Sequence, residues 1–200
     1  MPTFQQRIKS AFSSASVRRS RDLAQCGISR MQLQMAVARG LLERTGRGLY
    51  ALQDSAGVTE HHTLAEVGQR IPKGTFCLLT ALRFHELTTQ NPHDLWIAIP
   101  RNAWRPRLDT VELRIVHVSG PAFEEGVEHH DIEGISVRLY SPAKTVADCF
   151  KFRNKIVIDV ELEALREAWR GRRVTMKELE RYAKIDRVAN VMRPYLETLT

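Results

Sequence analysis

The chain is 200 residues long, 43% hydrophobic and 26% charged, with a formal net charge of +7. A globular chain of this length buries a core without disulfide bonds, and this one has no run of about 18 apolar residues that would cross a membrane. Its N-terminus lacks the basic stretch and apolar run of a signal peptide, so we expect none.

Three cysteines lie far apart in the sequence, at Cys26, Cys77 and Cys149. Their number is odd, and none of them stands near a second cysteine or a histidine at the spacing of a zinc site. We therefore expect three buried free thiols in a cytoplasmic protein, with no disulfide bond, no metal and no other cofactor.

The positive charge is concentrated at one end of the chain. Residues 1–50 contain nine basic and two acidic side chains, a balance of +7. Residues 51–150 have a balance of −4, and residues 151–200 one of +4. This asymmetry favours a polyanionic partner for the first fifty residues.

Three helices are predicted in the first forty residues. Phe4, Ile8 and Phe12 recur every four residues, which indicates the apolar face of a first helix. A serine cap and a closing glycine bracket each of the two helices that follow. These are Arg21 to about Gln25, between Ser20 and Gly27, and Arg30 to Arg39, between Ser29 and Gly40.

Two short apolar segments follow the third helix and predict a hairpin. They are residues 41–44 and 49–52, on either side of a turn that contains Gly46, Arg47 and Gly48. The order helix, helix, turn, helix, hairpin is that of a winged helix-turn-helix, in which the third helix enters the major groove of DNA and the hairpin contacts the phosphate backbone. We assign this domain to residues 1–52.

A polar segment, residues 53–57, is predicted to link this domain to a second one, residues 58–200. Helices are predicted over 63–70 and 78–85, and strands over 94–99, 111–118 and 135–139. The tail is helical, with helices from Pro142 behind its cap Ser141, over 159–170, from the capping box of Thr175 and Glu178, and over 188–199. The predicted fold class is α+β: the winged helix-turn-helix, then an α+β domain with a small mixed or antiparallel sheet and a helical C-terminal tail.

The third helix has one face for the protein core and one for DNA. At 100° per residue, Leu33, Ala36 and Val37 fall on the core side. Gln34 suits an adenine edge, an outward methionine suits a thymine methyl group, and the arginines and the helix N-terminus suit phosphates. The alternative is a solvated face, or a helix-turn-helix that binds protein. The predicted DNA-binding residues are Arg18, Arg19, Arg21, Ser29, Arg30, Met31, Gln32, Gln34, Met35, Arg39, Arg44 and Arg47.

The sequence resembles the AbiEi-family antitoxins over nearly its whole length. At the N-terminus the resemblance lies in GISRMQL at 27–33, RGLLER at 39–44 and GRGLY at 46–50. Further along it lies in TAL at 80–82, HELT at 85–88 and LWIAIPR at 95–101. The most specific segment is SPAKTVADCFK at 141–151, followed by FRNK at 152–155.

The resemblance implies a two-part antitoxin of a type IV toxin–antitoxin system, a kind first known from phage abortive infection. Its winged helix would bind inverted repeats in its own promoter and repress the operon. Its C-terminal domain would counter a partner toxin of the nucleotidyltransferase type, without needing a stable complex. The third helix has fewer arginines than is usual in the family, so the operator sequence stays open.

Two other functions stay open: a transcriptional regulator with a ligand-sensing or oligomerising second domain and no toxin, and a metal-dependent nuclease that uses Asp148. Against the nuclease, Lys144 and Asp148 stand four apart, which predicts an ion pair on a helix packed by Val146, Ala147 and Phe150. Ser141 lacks the glycine elbow of a nucleophile, and no glycine loop suits a nucleotide phosphate, so we predict that the protein is not an enzyme.

A histidine metal site is a further alternative. The candidates are the pairs His61-His62 and His129-His130, with Asp131 and Glu133 beside the second pair. Adjacent histidines point in different directions on a strand or a helix, so neither pair chelates a metal by itself. We expect surface histidines in loops instead.

Two cationic segments of the second domain have no assigned role. Trp104 lies among Arg101, Arg105 and Arg107, either as an RNA- or partner-contacting loop or in ordinary packing with a cation–π contact. A basic strip near the C-terminus is either a toxin-neutralising surface or a solvated face paired with local glutamates. The predicted neutralising residues are Arg166, Arg170, Arg173, Lys177 and Arg181, with Arg172 and Lys184 beside them.

Overall fold

The computed structural model describes residues 4–12, 15, 17–52, 61–108 and 111–199. It divides into two compact units, residues 1–70 with 130–137 and residues 71–129 with 138–200. The predicted linker, 53–57, lies outside the described residues, so the domain boundary at residue 52 stays a prediction.

The first unit alternates short helices and strands. Its three strands form an antiparallel sheet in the order β1-β3-β2, with Val17 of the first strand opposite Ala51 of the third. The first strand was not predicted, because only three residues form it. The elements are α1 (Phe4–Ala11), β1 (Val17–Arg19), α2 (Ser20–Gln25), α3 (Arg30–Ala38), β2 (Leu42–Gly46), β3 (Leu49–Leu52) and α4 (His62–Arg70).

The apolar pattern of the first unit predicts its core correctly. Ile8 and Phe12 are buried, and Phe4 packs against the same cluster from the edge. Leu23 of α2 and Leu33 of α3 complete the helical side of this core. The expectation for Ser20 was wrong: it is the first residue of α2, and its N–H donates to the carbonyl of Gly48 at 2.8 Å instead of its side chain capping the helix.

The second unit contains most of a five-stranded mixed sheet in the order β6-β5-β4-β8-β7. Strands β5 and β6 are parallel, β4 and β5 are antiparallel, and β4 and β8 are parallel. The strands, with the short helices between them, are β4 (Thr75–Phe76), α5 (Leu78–Phe84), β5 (Leu95–Pro100), β6 (Leu113–Val118), α6 (Pro121–Glu124), β7 (Val127–Ile132) and β8 (Ile135–Tyr140).

Three of these elements were not predicted from the sequence. Strand β4 has two residues and α6 has four, too few for a periodic pattern to show. Strand β7 has the polar sequence VEHHDI and lies at the end of the sheet order, where a strand needs fewer apolar side chains. His129 and His130 therefore lie in a strand, and the expectation that they lie in a loop was wrong.

The tail is helical, as predicted, and its caps form as the sequence indicates. The Ser141 side chain accepts a bond from the N–H of Lys144, and Thr175 and Glu178 form a capping box. The helices are α7 (Pro142–Lys151), α8 (Ile158–Arg170), α9 (Met176–Ile185) and α10 (Ala189–Glu197). The predicted α+β class is confirmed, with helices first, then the mixed sheet, then the helical tail. Over the described residues, no helix has the length and apolar character to cross a membrane.

Candidate nucleic-acid interface

The N-terminus of α3 is fixed by local hydrogen bonds. The Ser29 hydroxyl accepts a bond from the N–H of Gln32 at 3.3 Å, and the Ser29 N–H donates to the Gln32 side-chain oxygen at 2.9 Å. This is a reciprocal capping box with glutamine in place of the usual glutamate. The predicted cap is confirmed, and the Gln32 side chain is hydrogen-bonded within the helix terminus.

The turn between α2 and α3 depends on a glycine and on a contact that the sequence did not predict. Gly27 has a φ of +76°, which side chains other than glycine adopt at a cost. The Arg7 guanidinium donates to the Gly27 carbonyl at 2.6 Å, and the N–H of Ile28 donates to the Leu23 carbonyl at 3.0 Å. Through Arg7, helix α1 therefore stabilises the turn that precedes α3.

The solvent face of α3 is the one that the helical pattern predicts. Leu33 and Ala36 are buried, and Val37 is half-buried. Met31 and Met35 are 69% and 40% exposed, large fractions for apolar side chains. The other exposed side chains of this face are Arg30, Gln34, Ala38 and Arg39.

The arginines that flank α3 differ in their exposure and in their contacts. Arg18 and Arg19 lie in β1 and are half-buried, and the Arg19 guanidinium donates to the Gln69 carbonyl. Arg44 is exposed, and its Nε donates to the Gly46 carbonyl at 3.2 Å. The remaining exposed arginines are Arg21, which lies 3.4 Å from the Asp22 carboxylate, and Arg47 at the hairpin turn.

Helix α4 holds the hairpin of β2 and β3 in place. The Arg70 guanidinium donates to the Thr45 carbonyl and lies 2.8 Å from the Glu66 carboxylate. It lies so close to Gly46 that a side chain at that position would overlap it. Sequence reasoning missed Arg70 because only the folded chain brings α4 to the hairpin.

The predicted neutralising strip of the second unit is partly engaged. The Arg173 guanidinium donates to the His85 carbonyl at 2.7 Å, and Arg181 pairs with Glu125. Arg170 lies 3.8 Å from Glu167, a surface pair of the kind that contributes little to stability. Arg166 and Lys177 are exposed.

The segment of residues 141–151 contains a buried charge cluster. The Lys144 ammonium lies 2.5 Å from Oδ1 of Asp148 and 3.0 Å from Oδ2 of Asp186, and these three side chains are almost fully buried. Lys151 adds a second ammonium 3.0 Å from Asp186, and the Lys144 ammonium lies 4.7 Å from the centre of the Tyr140 ring. The predicted ion pair on a packed helix is confirmed, and Asp186 extends it to the end of α9.

Burial sets the protonation of this cluster. Burial raises the pKa of Asp148 to about 7, and the neighbouring Asp186 adds to the rise while Lys144 opposes it. Burial by itself would lower the pKa of Lys144, but Asp148 and Asp186 outweigh it and raise that pKa. The ammonium therefore stays charged, and α7 and the end of α9 share one charge network.

The cysteines and histidines considered as site residues lie in different parts of the fold. Burial raises the pKa of both Cys77 and Cys149, which keeps these thiols neutral. The expectation for Cys26 was wrong, because it is exposed at the end of α2, where the turn to α3 leaves the side chain in solvent. The ring of His62 lies 2.8 Å from the Glu133 carboxylate. Among the described residues, no three His, Cys, Asp or Glu side chains are grouped to hold a metal ion.

The first unit presents a capped helix, α3, followed by a hairpin with exposed arginines at Arg44 and Arg47. Residues 6–53 match the model of one protein family, described as "Transcriptional regulator, AbiEi antitoxin". The match bears out the predicted resemblance over these residues, which make up about a quarter of the chain.

The fold of the chain has a solved counterpart. The RV2827C protein from Mycobacterium tuberculosis is similar with a TM-score of 0.61 and 13% sequence identity, over 92% of this chain and 72% of that protein. At this identity the likeness shows the fold alone. No curated protein matches the chain.

Proposed function

We propose that the protein is an antitoxin that represses its own operon, with residues 1–52 acting as a winged helix-turn-helix. The observation that carries this proposal is the solvent face of α3, where Gln34, Met31 and Met35 stand exposed behind the Ser29 cap. The order of α1, β1, α2, α3, β2 and β3 supports the winged form, since the hairpin follows directly on the exposed helix.

Duplex binding would divide between two kinds of residue. Gln34 and the two methionines would read bases, because glutamine matches adenine and apolar side chains match the thymine methyl group. Arg30, Arg39, Arg44 and Arg47 would hold phosphates, since they are exposed and basic. Arg19 and Gln32 would act by positioning, because their side chains are engaged within the unit.

A gel-shift titration on the protein's own promoter tests the DNA claim. The double substitution Arg44→Ala with Arg47→Ala is expected to weaken binding to every sequence and to reduce the salt slope by about 2. Gln34→Ala is expected to relax the choice of base at one position by about 1–3 kcal/mol. Lys177→Ala with Lys184→Ala removes two exposed charges from the second unit and serves as the control. A wild-type protein that gives no gel shift at low salt would contradict the proposal.

The second unit, in this proposal, counters a nucleotidyltransferase-type toxin. Arg166 and Lys177 are the exposed members of the basic strip that are left for a partner, whereas Arg173 and Arg181 are engaged. A nucleotidyltransferase gene should adjoin the gene of this protein. Co-expression of this protein should restore growth to cells that express the nucleotidyltransferase. Arg166→Ala with Lys177→Ala should reduce the rescue. Arg172→Ala, an exposed neighbour, is the control, and full rescue by the double variant would remove this strip from the proposal.

A regulator without a toxin is the second candidate, and one cavity favours it. A cavity of about 460 Å³ lies between α9 and α10 in the second unit, a volume suited to a small molecule. Its lining combines apolar and charged side chains, among them Met176, Leu196, Lys184, Arg193 and Glu180. A small molecule that changes promoter affinity in the absence of any adjoining toxin gene would favour this candidate.

A further inference from the structure

A single aromatic side chain of the second unit stands in solvent among three arginines. Trp104 is 96% exposed, in the loop that follows β5. The expectation of ordinary loop packing with a cation–π contact was wrong, since none of the described cations lies over this ring. Trp96, by contrast, is buried with the Arg114 guanidinium 5.4 Å from its ring.

The loop is anchored at both its start and its middle. Pro100 ends β5 opposite Val118 of β6, and the N–H of Ala103 donates to the Pro100 carbonyl at 2.9 Å. Ala103 and Pro106 are half-buried, whereas Trp104 between them points to solvent. The ring is therefore presented by a turn with a defined backbone.

The charge of the loop is positive and uncompensated over the described residues. Arg101, Arg105 and Arg107 are exposed, and residues 101–108 contain no acidic side chain. Within the described part of the chain, none of the three guanidinium groups has a carboxylate or carbonyl partner. Asp109, which follows, lies outside the described residues. An exposed indole with three such neighbours has a free stacking face and free phosphate donors.

We propose that the loop of residues 101–108 binds single-stranded nucleic acid, with one base stacked on Trp104 and phosphates held by Arg101, Arg105 and Arg107. An exposed aromatic ring and a cationic track are the two parts of a single-strand binding site. An apolar protein interface fits less well, because its centre is depleted of charge and this ring has three arginines beside it. The proposal does not depend on the promoter-binding role of α3.

The test uses the full-length protein and fluorescein-labelled heptamers of oligo(dT) and oligo(U), with binding followed by anisotropy. Trp104→Ala is expected to weaken binding about tenfold, and Trp104→Phe is expected to retain most of it, since phenylalanine still stacks. Replacement of the three arginines by alanine should weaken binding and flatten its salt dependence. A preference between the two heptamers distinguishes RNA from DNA as the ligand.

Two controls make the result specific. Val157→Ala removes another exposed apolar side chain of the same unit and should leave heptamer affinity unchanged. The promoter duplex should bind Trp104→Ala as it binds the wild type, so failure of this proposal and failure of the promoter proposal are separate results. Equal heptamer affinity of Trp104→Ala and wild type would overturn the proposal. A parallel loss of promoter-duplex binding by Trp104→Ala would overturn it as well.

Discussion

The ammonium of Lys144 lies 2.5 Å from Oδ1 of Asp148, one turn along the same helix, and both side chains are buried. Asp186, at the end of α9, gives the same ammonium a second carboxylate at 3.0 Å. These three side chains thus form a charge network between two helices. Its role in the structure is to hold α7 against the end of α9.

Loss of the central cation should destabilise the second unit strongly. Lys144→Met leaves the carboxylates of Asp148 and Asp186 buried with Lys151 as the one described cation beside them, and we expect a loss of about 3–5 kcal/mol in the free energy of unfolding. Urea denaturation measures it. Lys177→Met, on an exposed position of α9, is the matched control and should change stability by less than about 0.5 kcal/mol. Equal stability of the two variants would contradict this account of the cluster.

Asp148 should make stability fall as pH rises. Burial raises its pKa in the folded protein from 3.8 to about 7, so between these values the unfolded chain releases a proton that the folded protein keeps. Stability contributed by the protonated carboxyl is complete below about pH 4 and is lost as pH rises to about 7. Asp148→Asn should remove this dependence, which for a shift of this size is about 4 kcal/mol over that range. Parallel stability curves for Asp148→Asn and wild type from pH 4 to 7 would show that the carboxyl is not perturbed.

Gly126 should tolerate no side chain, because it lies against Lys144. A Cβ at this position would stand 2.7 Å from the Cβ of Lys144, and the backbone has a φ of +74°. Gly126→Ala is therefore expected to destabilise by the cost of the left-handed backbone, about 1–2 kcal/mol, plus the cost of the overlap.

Gly120 provides a comparison without any overlap, since nothing lies within 4 Å of where its Cβ would be. Its φ of +61° and ψ of −148° lie in a region that is essentially restricted to glycine, so Gly120→Ala should be destabilised by its backbone alone. Both alanine variants should therefore lower the midpoint of thermal unfolding. A Gly126→Ala protein as stable as the wild type would mean that neither the backbone nor the contact with Lys144 has energetic weight.

The cap of α3 should contribute to the stability of the first unit. Ser29→Ala removes the acceptor for the Gln32 N–H, and the expected loss is about 1 kcal/mol. Ser29→Asp keeps an acceptor at the cap and should recover most of that loss. Chemical denaturation of the three proteins checks the order. A Ser29→Asp protein no more stable than Ser29→Ala would show that the bond seen in the structure is not what stabilises this helix.

Local sequence patterns predicted the parts of the fold that depend on neighbouring residues. The caps at Ser29, Ser141 and Thr175 form as expected, because a cap needs only a side chain and the backbone three residues away. The buried and exposed faces of α3 follow from helical periodicity alone. Strands β4 and β7 escaped prediction, since one is two residues long and the other is polar.

The candidate site was predictable to a different degree in each of its parts. The exposed face of α3 follows from the sequence, but the engagement of Arg19 with Gln69 does not, since fifty residues separate them. Cys26 was expected in the core and lies in solvent, because cysteine is apolar enough for either place and only the course of the turn after α2 decides. Trp104 shows the same limit, since the sequence alone did not decide between a packed ring and the exposed one that the structure has.

What the sequence by itself determined was the charged N-terminal segment, the three helices and hairpin within it, the ion pair of Lys144 with Asp148, and the resemblance to AbiEi antitoxins. These depend on composition, on spacings of three and four residues, and on a motif eleven residues long. Only the tertiary structure brought Asp186 to Lys144, Arg70 to the hairpin and Arg7 to the turn before α3. The physical reason is that ion pairs and hydrogen bonds between distant segments form only where burial of the apolar cores brings those segments side by side.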